Sequence, residues 1–199
     1  MTSERMESAF RITLDRLVQE MHPEGFWEGE LSSSALSTAT AISALSFTEN
    51  PADNMAIERG VSWLAKTQNS DGGWGDTMDS PSNLATTLLV IAAFKLAGKE
   101  PEQASLSYLT ANAGATESDL IAAIQNIYGA DRTFAVPILA NCALAGMVSW
   151  KRAPALPFEL AVFPRAWYKL LRLHVVSYAL PALIATGLAI HHHAPSRSP

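Results

Sequence analysis

Cysteine is almost missing from these 199 residues, with Cys142 standing alone. A single thiol excludes an internal disulfide framework and suits a reducing compartment. Charge is also scarce, at 17% against 48% apolar residues, which excludes a self-repelling disordered chain. The N-terminus "MTSERMESAF" has no apolar core segment, so no secretory signal is read there. No stretch alternates with period two for long enough to make a strand. The apolar run Val175–Ile190 has 16 residues and contains Pro181 and Gly187, which is short for a bilayer span. A buried helix is favoured there over a membrane anchor made of residues 170–192. His191, His192 and His193 do not make a metal site, because consecutive helical side chains point about 100° apart. They read as a frayed end before a disordered tail at 194–199. Cys142 reads as a buried small residue.

Acidic residues run out toward the C-terminus. Residues 1–131 carry 18 acidic and 7 basic side chains, whereas residues 132–199 carry 1 and 7. The basic third also holds Trp150, Trp167, Tyr168 and Tyr178. Basic, aromatic and apolar together fit an anionic membrane surface at least as well as nucleic acid. The plainer reading is a buried helical region with arginines on its rim. No nucleic-acid partner is expected.

Helix signals fill the chain. Leu14, Leu17, Val18 and Met21 mark one face of a first helix, which Pro23 and Gly25 end. Residues 32–47 predict a second helix with a serine N-cap. Pro51 and Asp53 open a third, with Ile57, Val61, Leu64 and Gln68 on one face. Residues 80–98 predict a fourth, apolar nearly all round and closed by Gly98. Shorter helices come next, near 101–112 and 117–128, then one over 132–147 with Pro137 in its first turns. Residues 150–164 read as a loop, and 170–192 as a last apolar helix.

The pattern repeats. "HPEGFWEGEL" and "NSDGGWGDTM" share an acidic residue, Gly, one residue and Trp, and Trp27 and Trp74 lie 47 apart. Another 47 residues reach Ile121, where no tryptophan stands. Thr40, Thr87 and Phe134 keep the same spacing of 47 inside apolar helices. The unit is an outer helix, a turn and an inner helix, used about four times. Such hairpins must stack on neighbours to bury their apolar faces. The result is an all-α fold, an α/α-barrel or toroid built of helical hairpins. Four hairpins fall short of six, so an incomplete ring over residues 1–193 is expected.

One segment is more specific. "RGVSWLAKTQNSDGGWG" places Arg59-Gly60, Trp63-Leu64, Gln68 and Gly72-Gly73-Trp74 in order. It resembles the QW repeat of the squalene–hopene and oxidosqualene cyclases, the class II triterpene cyclases. Glycine permits the tight positive-φ turn. The indole can then lie over the Gln68 amide, which can bond backbone groups at the next helix end. The motif therefore reads as a structural clamp. "LDRLVQEMHPEGFWEGEL" resembles the start of these cyclases. "GADRTFAVPILANCALAG" resembles a helix of their N-terminal barrel with an Arg-x-Phe pair. "APALPFELAVFP" resembles the proline-rich passage after that helix. "VSYALPALIATGLAI" resembles the next inner helix, with Tyr178 where a tryptophan is usual. The resemblance covers most of residues 10–192 and only the first part of a cyclase.

By that resemblance, Phe134 and Tyr178 match cavity-lining positions, where aromatic faces stabilise carbocations, and Arg132 matches a nearby arginine. No catalytic residue is assigned. The family's acid is an Asp-x-Asp-Asp run, which is missing here, as is the Asp-Asp-x-x-Asp of magnesium–diphosphate sites. Asp76 and Asp79 read as turn and capping carboxylates. No cofactor and no metal are expected. The expected function is the N-terminal portion of a squalene–hopene-cyclase-like terpene cyclase (an isomerase), incomplete without an acid from elsewhere. Its implied partners are a linear polyprene such as squalene, a C-terminal cyclase half or a second copy, and a peripheral membrane contact. Its expected place is cytoplasmic or on the cytoplasmic membrane. The alternative is a non-catalytic toroid that binds a hydrophobic ligand or a protein.

Overall fold

A computed structural model describes residues 3–29, 31–48, 50–129, 132–156, 162–170 and 180–195. The chain separates into two compact units, Met1–Ser33 and Ser34–Pro199. Every described element is a helix or a 3₁₀ turn, as the hydrophobic periodicity predicts.

The first unit is α1 (Ser3–Gln19) and the turn after it. Met6, Phe10, Leu14, Leu17 and Val18 form an exposed apolar stripe along α1. Beyond the helix, the Trp27 indole N–H donates to the Leu17 carbonyl at 2.6 Å and folds the chain back.

The second unit is a double row. α2 (Ala35–Leu45), α4 (Leu84–Leu96), α7 (Arg132–Leu144) and α9 (Leu180–His193) pack side by side in that order. α3 (Asp53–Lys66), α5 (Gln103–Ala113) and α6 (Glu117–Tyr128) make the second row. α3 touches α2 and α4, α5 touches α4 and α6, and α6 touches α7. α8 (Arg165–Leu170) lies apart in sequence, and residues 171–179 of the expected last helix are outside the described residues.

α4 is the spine of this unit. Every residue from Leu84 to Phe94 is buried, because α2, α3, α5 and α7 all pack on it. An apolar surface on all sides thus finds cover on all sides. The helix starts at Leu84 rather than at 80, because the Asn83 side chain accepts from the Thr86 N–H at 2.8 Å. It ends where expected: Gly98 takes a φ of 68°, its N–H reaches Lys95 and that of Lys99 reaches Phe94. α7 ends the same way at Gly146.

Two expectations are corrected. His191–His193 are not a frayed end: α9 runs through His193, whose ring stacks on Trp150 at 4.5 Å. Trp150 lies in a 3₁₀ turn (Trp150–Arg152) that packs on α9, with Val136, Ala140, Ala153 and Ile190 in a small cluster beside it. The phase of 47 does not survive past the turns into α2 and α4. The N-caps Ser34 and Asn83 are 49 apart, and Thr40 is exposed where Thr87 is fully buried.

Candidate functional site

The turn between α3 and α4 is built from short bonds. The last turn of α3 leaves carbonyls without helical partners. The Trp74 indole N–H takes one, donating to the Leu64 carbonyl at 2.9 Å, and Trp74 is only 3% exposed. The Trp74 backbone N–H donates to Thr87 Oγ1 at 3.0 Å, inside α4. Its carbonyl accepts from the Asn83 N–H at 3.0 Å. One residue thereby ties the end of α3 to the start of α4. Gln68 acts differently from the expectation: its amide donates to the Gly72 carbonyl at 2.9 Å and closes the turn on itself. The reach to the next helix comes from Trp74 and Asn83 instead. Gly72 takes a φ of 87°. A Cβ there would also collide with the Ala104 carbonyl of α5.

The remaining motif residues have plain places. Gly60 lets α3 approach α2, since a Cβ there would meet Ile42 Cδ1 at 3.0 Å. Leu64 is fully buried, Trp63 is packed against the core at its edge, and Arg59 is exposed. Cys142 is buried, which pushes its thiol up to about 12.

The turn in the first unit has the same wiring. Leu17 and Trp27 sit 47 residues before Leu64 and Trp74, and both pairs make the same indole-to-carbonyl bond. The His22 N–H donates to Phe26 as that of Asn69 does to Gly73, and Gly25 takes a φ of 86°. Met21 stands where Gln68 would be, so the indole bond forms without the glutamine.

Asp71 steadies the second turn. Ser82 Oγ donates to its carboxylate at 2.7 Å and the Gly73 N–H at 3.0 Å, which holds the carboxyl below the usual carboxylate range. A depressed folded pKa contributes stability above the unfolded value near ~3.9 and loses it as pH falls through the folded pKa. The Asp71→Asn variant is therefore expected to melt slightly lower at pH 7, the effect being small at an exposed site. The two melting temperatures should converge below about pH 4. A difference that persists unchanged at pH 2 would sink this account.

The expected cavity residues are only partly brought together. Arg132 and Phe134 both sit in the first turn of α7 and are exposed, Phe134 at 61%. Tyr178 lies outside the described residues. The periodicity does not point to Tyr128, whose ring stacks on Phe134 with centroids 5.9 Å apart and planes 22° from parallel. Burial, and then the negative charge of Asp76, pushes the Tyr128 phenol above its ordinary range. Asp76 itself accepts from Asn83 Nδ2 at 2.9 Å and from Thr86 Oγ1 at 2.5 Å. It is a turn and helix-start carboxylate, as read from its position. Tyr128 and Phe134 thus meet where α6 ends and α7 begins, and Asp76 is held at the start of α4.

A second feature has no sequence signal. An open cleft of about 630 Å³ lies among Ser82, Asn83, Tyr108, Asn112, Asp119 and Ile127. Burial and the Asp71 charge push the Tyr108 phenol up. No spacing links a loop at 82 to helices near 108 and 127. Among the described residues, no group of three or more His, Cys, Asp or Glu side chains could hold a metal ion.

Helical hairpins packed in two rows, with a tryptophan-clamped turn between α3 and α4, fit the α/α-toroid class. Within that class the family is settled by comparison. The model of the squalene–hopene cyclase N-terminal domain matches residues 11–198, and the chain belongs to that family. It is 37% identical over 71 residues to a squalene–hopene cyclase of Zymomonas mobilis, across 35% of this chain and 11% of that protein. It is 27% identical over 183 residues to the enfumafungin synthase of Hormonema carpetanum, across 87% of this chain and 12% of that protein. A squalene–hopene cyclase of Bradyrhizobium diazoefficiens is 30% identical over 95 residues, across 42% and 14% of the two chains. The chain thus spans a small fraction of the length of these relatives. No solved structure gives a significant match.

Proposed function

We propose that this chain is the N-terminal portion of a polyprene cyclase and forms one wall of the apolar cavity that holds a linear substrate such as squalene. Phe134, with Arg132 beside it, faces that cavity, and Tyr178, which lies outside the described residues, is a cavity residue by family resemblance alone. The segment from Arg59 to Trp74 is the QW clamp that holds the wall in shape. The family membership of residues 11–198 carries this reading. The large exposed ring of Phe134 at the start of α7 supports it.

The proton donor comes from outside these 199 residues, since no Asp-x-Asp-Asp run occurs among them. An alkene needs a strong, positioned acid, and among the described residues the carboxylates are exposed or held in local hydrogen bonds and ion pairs. The missing acid is supplied by a C-terminal cyclase region, in cis or as a partner. Peripheral contact with a membrane fits the exposed Val162, Phe163, Trp167 and Leu170, with Lys169 among them. Among the described residues no helix is long and apolar enough to cross a membrane.

The test is incubation of the purified chain with squalene, read by gas chromatography and by equilibrium dialysis. Binding without any cyclised product is expected. Product formed by this chain alone would overturn the placement of the acid, and absence of binding would overturn the cavity reading.

A further inference from the structure

The cleft lined by α5, α6 and the start of α4 has hydrogen-bonding capacity that the fold does not use. On its α4 side the polar groups are spent. Ser82 Oγ donates to Asp71 and accepts from Asn69, and the Asn83 amide bonds Asp76 and the Thr86 N–H. On α5 and α6 groups are left over. The Asn112 amide nitrogen donates to the Tyr108 carbonyl at 2.8 Å, which leaves its oxygen open. Asp119 uses one carboxylate oxygen for Thr116 and keeps the other. Among the described residues, the Asn126 amide and the Tyr108 hydroxyl have no hydrogen-bond partner. Between these groups the wall is apolar and low, made by Leu84, Ala113, Ala122, Ala123 and Ile127. The cleft volume, about 630 Å³, falls inside the range of about 300–1,000 Å³ typical of small-molecule sites.

The charge pattern narrows the ligand. Asp119 is the one charged residue among those lining the cleft, and it is the third residue of α6, where the helix N-terminus offsets its charge. A cation therefore gains little there, and an anion finds no basic partner. Burial and the Asp71 charge keep the Tyr108 phenol protonated, so it donates as well as accepts. We propose that this cleft binds a neutral ring bearing several hydroxyls, a sugar or a like polyol. Its apolar face lies on the alanines, and its hydroxyls meet Tyr108, Asn112 and Asn126. A hydroxyl both donates and accepts, as the phenol and the Asn126 amide do, so each can be matched by another. A hydrocarbon would strip water from these polar groups and return nothing. Phe134 does not line the cleft, so the proposal stands apart from the cavity reading.

The experiment titrates cellobiose into the whole chain, labelled with nitrogen-15, and follows the backbone amide signals by NMR. Shifts confined to α5, α6 and the start of α4 are expected, with a dissociation constant of about 1 mM. Tyr108→Phe and Asn126→Ala should each weaken binding about 2- to 12-fold, the worth of one hydrogen bond. Neither should change the melting temperature, since neither group bonds the fold. Ala122 is exposed on α6, so Ala122→Trp should fold normally, cover the apolar wall and abolish binding. Cyclohexanol, a ring with a single hydroxyl, and an alanine tripeptide blocked at both ends should bind more weakly than cellobiose. Equal binding of cyclohexanol overturns the need for several hydroxyls, and equal binding of the tripeptide overturns the polyol in favour of a peptide. Unchanged affinity in Ala122→Trp overturns the placement. Absence of cellobiose binding overturns the proposal and leaves the squalene result untouched.

Discussion

Trp74→Ala is expected to remove roughly 3–5 kcal/mol of stability, the range for deleting a large buried aromatic. Three losses coincide. The indole leaves a void beside Leu64, Phe94 and the buried face of α4. The Leu64 carbonyl loses its shortest bond, the indole N–H at 2.9 Å, and keeps only the longer ones from the Thr67 N–H at 3.2 Å and hydroxyl at 3.3 Å. The backbone link to Thr87 then depends on a turn without its anchor. Domains of this size have about 5–15 kcal/mol in total, so the variant should sit close to unfolding at 37 °C. Urea titration reads the change as a lower midpoint at an unchanged slope. Trp74→Phe separates the terms, because it keeps most of the apolar volume and gives up only the hydrogen bond, worth about 0.5–1.5 kcal/mol since Thr67 still donates to the Leu64 carbonyl. A loss below about 1 kcal/mol for Trp74→Ala would show that the clamp is ornamental.

Gly72→Val is expected to be as damaging through a different cause. A β-branched residue at a φ of 87° is a backbone outlier, costing about 1–2 kcal/mol before any contact is counted. The Cβ must then push against the Ala104 carbonyl, which is helix backbone and cannot rotate away. The turn or α5 has to move, and α5 is held by α4 and α6. Gly25 is the natural control. It takes a φ of 86° in the equivalent turn, and within its own unit a Cβ meets nothing within 4 Å. Gly25→Val should therefore show the conformational part alone. Equal midpoint shifts for the two variants would remove α5 from the explanation. Trp74 and Gly72 belong to one network, so the double variant should lose less than the sum of the two.

Much of the architecture is legible in the residues. The apolar belt of Leu84–Phe94 predicts a helix buried on all sides, and α4 is one. Gly98 marks its end because only a positive φ closes that cap. The tryptophan turn is legible too, since its glycines and indole have few other joint uses. What the residues hide is set by partners distant in sequence. The amide of Gln68 has several carbonyls in reach, and only the folded turn selects Gly72. The count of one second-row helix per repeat fails at α5 and α6, which both lie in the second row. That extra helix is why a step of 47 residues from Trp74 lands in the middle of α6, at Ile121. Tyr128 is invisible in the sequence because the last residue of one helix and the first turn of the next meet only once α6 and α7 are packed. His193 looks like a tail residue because its partner, Trp150, lies 43 residues earlier in an irregular segment.

The two indole bonds share one further property: donor and acceptor are only 10 residues apart in each. Rings of that size close within about 10–100 ns and cost little chain entropy. Each fastening can therefore snap shut as soon as its own stretch has left the ribosome, without waiting for later helices. A growing toroid can then be assembled hairpin by hairpin, in the order of synthesis, with its corners already bent.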